Sequence, residues 1–404
     1  MSTGAHAAGA LRLPAWPRPH GLVRRSLVCA GVGLIGLLFG WLLDPRRASF
    51  ALLGAWTFGV SLGLGALLLL MVDHVAKGRW TIVIRRPVEA IVAALPLYAA
   101  LFVVLALNLP RLYPWAADPR TLDAGLAESI ARKRAYLDPA FFVIRSAIYF
   151  AVFLAVGGLL RRWSRQNDTE PKAQRVAAMR RLSAGALPVV ALAITWAAFD
   201  WTMSLEPDWS STIFGLYVFA GSFTGAIALV AIVMWKIRAH GGAAAVATPD
   251  HAQALGRLLF AMVIFWAYMA FSQLLIYWIA DLPDEVSFYA RRSTGSWVAV
   301  DVVLVVGHFA LPFLALLSRP LKRRWDLLAG VSAWLLVMHY VDVYWLVMPA
   351  IDVTGARPHW LDIAALLFVG GASAAWAALV YERSPPLPRH APELASGLDY
   401  EANL

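Results

Sequence analysis

The sequence predicts an all-α polytopic membrane protein with about ten transmembrane helices. Of its 404 residues, 60% are hydrophobic and 15% are charged, and the mean hydropathy is +0.64. Soluble domains carry about a quarter charged residues. About ten apolar runs reach 18 residues or more, which is the length needed to cross a hydrocarbon core of about 30 Å. These runs lack the alternation of apolar and polar residues that is typical of transmembrane β-strands.

The apolar runs place the helices in chain order. We expect spans over residues 26–43, 49–73, 88–109, 141–162, 184–205, 211–235, 256–280, 297–317, 325–347 and 359–380. Helices two to five and six to nine are predicted to form two four-helix bundles, with helices one and ten flanking them. The corresponding segments are 1–25 (tail), 26–48 (flanking helix), 49–209 and 210–350 (bundles), 351–381 (flanking helix) and 382–404 (tail).

The first helix is predicted to be retained. Arg24 and Arg25 precede it as in a twin-arginine signal, and Cys29 lies inside it as in a lipoprotein signal. However, Val28 stands where a lipoprotein signal needs a small residue, and no small-residue cleavage pattern follows the run. With Cys29 as the one cysteine, this chain cannot form an intrachain disulfide or a cysteine-ligated zinc or iron–sulfur site.

Basic residues predict the orientation. They concentrate on one side of the membrane, in the links HVAKGRWTIVIRR, LRRWSRQNDTEPKAQRVAAMRR, WKIRAH and SRPLKRR and near both termini. The positive-inside rule therefore predicts a bacterial inner-membrane protein with both termini in the cytoplasm. This distribution also explains the net charge of +10 without a nucleic-acid partner.

Four links are then expected in the periplasm. Segment 112–139 is long, and its amphipathic stretch LAESIARKRAYL predicts a helix at the membrane interface. The short link 206–210 predicts a tight hairpin, in which Glu206 and Asp208 are water-exposed acids while Trp201 and Trp209 anchor the interface. The other two links are DLPDE, from Asp281 to Glu285, and the loop 349–352.

Ionisable residues within the spans are candidate functional residues, because an unpaired charge in a bilayer is costly. They fall in two layers. The cytoplasmic layer holds Asp73, His74, Arg85, Arg86 and Glu89, and the periplasmic layer holds Arg145, Asp200, Asp301 and Asp342, with His308 and His339 nearer mid-depth. Further hydrogen-bonding groups are Thr195, Ser222, Thr224, Tyr268, Ser272 and Gln273.

Several of these residues are predicted to meet. His339 and Asp342 are three residues apart on one helix face, so they could touch and pass a proton; the alternative is a structural hydrogen bond that links helices. An ion pair is expected between Arg145 and Asp200, and Asp200 is the acid singled out for a test of proton transfer.

Asp73, His74 and Glu89 predict either the mouth of a proton entry path or interfacial capping. Asp301 lies near a helix start, where the helix dipole favours an acid.

Two further patterns leave alternatives open. Asp200 and Asp342 each stand seven residues before a proline with an indole between, which indicates either an internal repeat or common helix-stop chemistry. A bis-histidine haem would need two histidines at matching depth, and only His308 and His339 approach this. Haem is therefore disfavoured. Tryptophan side chains could line a quinone pocket.

Five segments carry a resemblance to a known family. They are HVAKGRWTIVIRRPVEA, AYLDPAFFVIRSAIYF, FDWTMSLEPDWSSTIFGLYVFAG, LGRLLFAMVIFWAYMAFSQLLIYWIADLPDE and GHFALPFLALLSRPLKRR. In combination they resemble the ActF-type subunits of alternative complex III, a bacterial quinol:cytochrome c (electron-acceptor) oxidoreductase. These subunits belong to the broader NrfD/polysulfide-reductase membrane-subunit family. The likeness runs from the second helix through the ninth.

The resemblance implies two four-helix bundles with flanking helices and no metal or haem bound by this chain. It implies a proton path, contact with menaquinone or ubiquinone, and redox centres (haem c and iron–sulfur clusters) held by partner subunits. Those partners would be a sister NrfD-like membrane subunit, an iron–sulfur/molybdopterin-like subunit, multihaem cytochromes c, lipids and a terminal oxidase.

The positions matching the family motifs are His74, Arg85, Arg86, Glu89, Arg145, Asp200, Glu206, Asp208, Ser272, Gln273, His308 and, less specifically, Asp342. A secondary transporter and a purely structural anchor are the alternative functions.

Overall fold

The computed structural model describes residues 21–239, 246–280 and 283–402, with residues 283–285 described by their backbone alone. The structure is 82% helical, and its described part contains no β-strand. The all-α fold with ten membrane-spanning helices is therefore confirmed. The spans are Leu22–Leu43, Pro45–Ala76, Arg85–Ala106, Pro139–Thr169, Ala173–Leu205, Phe214–Ala239, Pro249–Ala280, Trp297–Leu317, Trp325–Ala350 and Trp360–Glu382.

The second span forms the centre of the molecule. Its side chains are apolar on all sides, and nearly all of them are buried inside the protein. It packs against the first, third, fifth, sixth, ninth and tenth spans. Gly65 faces the backbone of Ser222 so closely that a Cβ atom there would collide with it, so this position needs glycine for the second and sixth spans to meet.

The first and tenth spans pair with each other at the edge of the molecule. Gly33 of the first span lies against the backbone of Ala364 and Phe368, again without room for a Cβ atom. The sixth span packs on both the second and the ninth spans, so helices two to five and six to nine share a wide interface. The division of the chain into two bundles stays a prediction.

Successive spans alternate in direction, which defines two sides of the molecule. The tail side holds the link 170–172 and the C-terminal segment 383–402, and the hairpin side holds the links 206–213 and 351–359. The predicted N-terminal tail falls mostly on residues 1–20, outside the described residues. Asp281 and Leu282 of the DLPDE segment also lie outside them, as do the side chains of 283–285.

Helix ends differ most from the prediction between the fourth and fifth spans. The predicted link 163–183 shrinks to three residues, 170–172, because the fourth helix continues to Thr169 and the fifth begins at Ala173. Hydropathy predicts where a span leaves the bilayer. The helix itself continues beyond that point, because its backbone hydrogen bonds also form between polar residues. The ninth helix, Trp325–Val347, has the predicted bounds.

Two spans are irregular within the bilayer. The third is interrupted at Ala93 and Ala94, just before Pro96, whose missing N–H cannot continue the hydrogen-bond ladder. The eighth contains a π-helical turn, Leu304–Ala310, which includes His308. Such wide turns occur often at functional sites.

The amphipathic stretch in the long third link does form a helix. It spans Ala124–Arg132, and the Asp123 carboxylate caps it by accepting a 2.9 Å hydrogen bond from the Leu126 backbone N–H. The predicted helix is therefore confirmed, while its position at a membrane interface stays a prediction.

Candidate functional site

A tail-side cluster gathers the predicted cytoplasmic layer. The Asp73 carboxylate accepts a 2.6 Å hydrogen bond from Arg85 Nε and another from the Thr81 hydroxyl. The Glu89 carboxylate accepts 2.6 Å bonds from Arg86 Nη1 and from the Ser164 hydroxyl. All six side chains are buried, and the four charged ones pair with each other within the protein.

Further members of this cluster come from residues that sequence reasoning missed. Asp168 binds Arg86, and Glu393 binds Arg180 and lies 4.0 Å from Arg85. Asp168 falls in the predicted link 163–183, and Glu393 falls in the predicted tail 382–404. No local pattern marks either residue, because their partners lie at least 80 positions away along the chain.

The C-terminal segment covers the tail-side cluster. The Asn167 side-chain amide donates to the His390 carbonyl at 3.2 Å, and the Arg389 backbone N–H donates to Asp168 at 3.2 Å. Beneath them lies a cavity of about 20 Å³ bordered by His74, whose Nε2 atom has no hydrogen-bond partner in the described structure. A cavity of this size has room for about one water molecule.

The expected ion pair between Arg145 and Asp200 is confirmed. Arg145 donates two hydrogen bonds to the Asp200 carboxylate, at 2.8 and 2.9 Å, and the Tyr149 hydroxyl donates a third at 2.8 Å. The guanidinium also lies 3.9 Å from the centre of the Tyr136 ring and donates to the Tyr136 carbonyl. Asp200 is fully buried, and this pairing gives its charge a complete set of partners.

The Asp200 pair and the tail-side cluster are separated by apolar side chains. On the fourth span, every buried residue between Tyr149 and Ser164 is apolar, over about 22 Å of helix. These residues are Phe150, Phe153, Val156, Gly157 and Leu160. On the fifth span, the buried residues between Ser183 and Asp200 are likewise apolar. The two polar layers are therefore not continuous along these two helices.

A mid-membrane cluster forms around Asp342. The Tyr217 hydroxyl and Trp266 Nε1 each donate to one carboxylate oxygen, the latter at 3.2 Å. His339 Nε2 is 2.8 Å from the Ser61 hydroxyl. His339 and Asp342 do not bond to each other. Each instead makes hydrogen bonds to other spans, which is the predicted structural alternative of bonds that link helices.

The gap between His339 and Asp342 is narrow and lies over Gly221. A Cβ atom at Gly221 would stand 3.2 Å from His339 Cε1 and 3.4 Å from Asp342 Oδ2. His339 Nδ1 has no hydrogen-bond partner among the described residues. The ring and the carboxylate thus flank one shared space and do not contact each other directly.

His308 extends the cluster toward the eighth span. Its ring lies against the Trp266 indole, with ring centres 3.9 Å apart, and 6.5 Å from the His339 ring. Both of its ring nitrogens are buried without a partner in the described part of the chain. These contacts do not fit a bis-histidine haem, because the Trp266 indole covers His308 and the Ser61 hydroxyl engages His339 Nε2. Buried polar atoms of this kind are typically satisfied by water.

The polar residues continue from Asp342 toward both sides. Toward the hairpin side, Gln273 Nε2 donates to the Tyr289 hydroxyl at 3.1 Å, and the Ser211 hydroxyl donates to Gln273 Oε1 at 3.3 Å. Toward the tail side, Ser332 lies two turns before His339 and is fully buried. Along the ninth span, the step from Asp342 to His339 is about 5 Å and that from His339 to Ser332 about 10 Å. Gln273 stands two turns, about 10 Å, beyond Trp266, which bonds to Asp342.

Five of the predicted polar residues do not join this cluster. Thr195, Ser222 and Thr224 bond to carbonyls of their own helices, four residues back. Ser272 is half-buried and makes no hydrogen bond to Gln273 or its partners in the described structure. Tyr268 is 61% exposed on the seventh span and lies outside the cluster.

Glu206 corrects the prediction for the hairpin. It is 3% exposed and binds Arg292 at 2.7 Å and Arg291 at 2.8 Å, while Asp208 also binds Arg291. Burial lowers the pKa of Arg291, but the Glu206 and Asp208 carboxylates raise it by more, so the pKa is raised and the guanidinium stays charged. Glu206 is thus a buried ion-pair partner rather than a water-exposed acid.

The two hairpin tryptophans were also predicted wrongly as interface anchors. Trp201 is 4% exposed and donates from its indole to the Ser146 hydroxyl at 3.0 Å. Trp209 is 2% exposed and stacks on Phe288, with ring centres 4.1 Å apart. Both are core residues: Trp201 packs on Trp56 and Phe150, and the segment that carries Arg291 covers Trp209 through Phe288.

Glu206→Ala is expected to destabilise the protein more than Asp208→Ala. Removing Glu206 leaves the 1% exposed Arg292 without its charged partner, at a cost of about 3 kcal/mol. Asp208 serves only the partly exposed Arg291, so its loss should cost about 1 kcal/mol or less. Unfolding free energies in mixed SDS–detergent titrations measure both. Equal losses would contradict the buried role of Glu206.

No protein-family model matches the chain, and no curated protein matches it significantly. The resemblance to ActF-type subunits stays a prediction. Within the described residues, no group of three or more His, Cys, Asp or Glu side chains is placed to hold a metal ion.

Proposed function

We propose that this chain is an integral membrane subunit of a respiratory quinol:cytochrome c (electron-acceptor) oxidoreductase of the alternative complex III type. In that complex it provides a proton path and contacts quinone. The assignment to this complex rests on the five segments that resemble ActF-type subunits. The proton path rests on the arrangement of buried polar groups.

One observation carries the proton path. Helices six to nine and the segment after the seventh carry polar side chains at successive levels: Tyr289, Gln273, Asp342, His339 and Ser332, all of them buried except the half-buried Tyr289. Several of their atoms, and those of the adjacent His308, lack protein partners in the described structure. Water molecules bound to such atoms would link the steps. An imidazole next to a carboxylate can then pass a proton, because it exists in either protonation state near neutral pH.

Asp342 therefore replaces Asp200 as the leading relay candidate in this proposal. The Asp200 carboxylate accepts three hydrogen bonds from two side chains, one of them a permanently charged guanidinium. The partners of Asp342 are a phenol and an indole, both neutral, and no basic side chain bonds to it in the described structure. A carboxylate without a fixed cation is better suited to take up and release a proton.

The irregular helices argue against the secondary-transporter alternative. Transporters built from repeats carry helix breaks at corresponding positions of the two halves. Here the break at Ala93 and the π-helical turn at His308 fall in the second helix of one predicted half and the third helix of the other. These positions do not correspond.

Co-purification tests the assignment to a respiratory complex. The full-length chain is tagged at its N-terminus and isolated from its native membrane in mild detergent. We expect a multihaem cytochrome c, an iron–sulfur protein and a second multi-pass subunit to co-purify with it. Haem absorbance and mass spectrometry identify them. Isolation of the chain alone, as a dimer that binds a small solute, would overturn the proposal in favour of a transporter.

A further inference from the structure

The structure contains a large apolar cavity apart from the polar groups described above. It has a volume of about 450 Å³ and lies among the first, second, third, sixth, ninth and tenth spans. Most of its walls are aliphatic side chains and small residues, with Phe58 and Tyr98 at the deep end. Cavities of a few hundred Å³ with such walls are typical of binding sites for apolar ligands.

The cavity has a polar mouth on the tail side. Arg25 at the start of the first span and Lys236 near the end of the sixth both border it and are both exposed. Tyr381, at the end of the tenth span, lies at the same level. Among the described residues, no acidic side chain lines the cavity, and the two charged side chains at its mouth are basic.

The depth of the cavity corresponds to one leaflet of a bilayer. Along the tenth span its lining runs from Tyr381 to Leu366, which is about 22 Å of helix. Half of a hydrocarbon core is about 15 Å, and the headgroup layer accounts for the rest. A ligand that fills the cavity would place an apolar chain in the leaflet and a polar group at the basic mouth.

We propose that this cavity binds an anionic glycerophospholipid, with an acyl chain between the helices and the phosphate between Arg25 and Lys236. A quinone fits the cavity less well, because a quinone ring carries no charge for the two basic residues to bind. The proposal is independent of the function proposed above.

Charge variants test the mouth of the cavity. The delipidated full-length protein is titrated with phosphatidylglycerol and, separately, with phosphatidylcholine, and bound lipid is counted by native mass spectrometry. Each basic residue near a membrane surface contributes about fivefold to the affinity for an anionic lipid. Arg25→Ala/Lys236→Ala should therefore weaken phosphatidylglycerol binding roughly thirtyfold and leave phosphatidylcholine binding unchanged. Arg24→Ala is the matched control, because Arg24 does not line this cavity.

A second pair of variants tests the walls. Gly370 borders the cavity, and a Cβ atom there meets nothing within 4 Å, so Gly370→Phe fills the space without a clash in the fold. This variant should lose binding of both lipids. Gly31→Phe is the control, since Gly31 has equally open surroundings in the first span and does not line the cavity.

Three outcomes would overturn the proposal. The first is equal affinity of the wild-type protein for the two lipids. The second is unchanged phosphatidylglycerol binding in both the charge variant and Gly370→Phe. The third is that added menaquinone or ubiquinone displaces phosphatidylglycerol from the wild-type protein and fails to bind to Gly370→Phe, which would identify the cavity as a quinone site.

Discussion

Asp342→Asn is expected to lower proton-coupled turnover by about a hundredfold while leaving the helices assembled. Asparagine has nearly the same shape: its amide oxygen can accept from the Trp266 indole, and its amide N–H can donate to the Tyr217 hydroxyl oxygen. It cannot take up or release a proton. Loss of a positioned acid–base group typically costs a factor of about 10² to 10⁴. Because the partners of Asp342 are neutral, the substitution leaves no charge unpaired.

The measurement is quinol oxidation together with proton translocation, in proteoliposomes that hold the complex isolated through this chain. Asp301→Asn is the matched control. Asp301 is also a membrane-embedded carboxylate that accepts a bond from an indole, Trp345 Nε1 at 2.5 Å, but it makes no contact with the mid-membrane cluster in the described structure. It should keep wild-type rates. Wild-type rates of quinol oxidation and proton uptake in Asp342→Asn would contradict a proton path through helices six to nine.

Gly221→Ala offers a second test of the same path. The added methyl group would occupy the space between His339 and Asp342, at 3.2 Å and 3.4 Å from their nearest atoms. A relay through that space should slow down, although both titratable groups remain in place. Unchanged turnover here, with loss of turnover in Asp342→Asn, would mean that protons leave Asp342 by a route that avoids His339.

The sequence predicted the fold well because hydropathy and helix ends are local properties. The ninth helix has its predicted bounds, since Arg324 precedes its apolar run and Pro349 follows it. The fourth and fifth helices extend further than predicted because their ends leave the apolar run while the backbone ladder continues. In that extension Asp168 is stabilised by Arg86, a partner that lies 82 residues earlier in the chain.

The site was predictable where opposite charges share a depth on neighbouring spans. Arg145 and Asp200 satisfy that condition, and they do pair. Glu206 and Arg292 pair just as closely, but no spacing in the sequence indicates that the segment after the seventh span folds back over the hairpin. For His339 and Asp342 the shared helix face was identified correctly, but their partners Ser61 and Tyr217 depend on how three separate spans pack.

Asp200→Asn is expected to act on stability first, unlike Asp342→Asn. It removes the charge that neutralises Arg145 in a buried setting, and breaking such a pair from one side costs about 3–5 kcal/mol. The Asp200→Leu/Arg145→Met double variant should recover most of this loss, because replacing both charges with apolar side chains leaves no charge buried.

Unfolding free energies of Asp200→Asn and of the double variant, measured in mixed SDS–detergent titrations, test this prediction. Glu128→Gln is the control, since its i,i+4 pair with Arg132 is exposed and should be worth less than about 0.5 kcal/mol. If Asp200→Asn proved as stable as the wild-type protein and yet lost proton translocation, the Arg145 pair would be a relay rather than a structural bond. In that case protons would have to cross the apolar stretch of the fourth span between Tyr149 and Ser164, where the described helix offers no buried polar side chain to carry them.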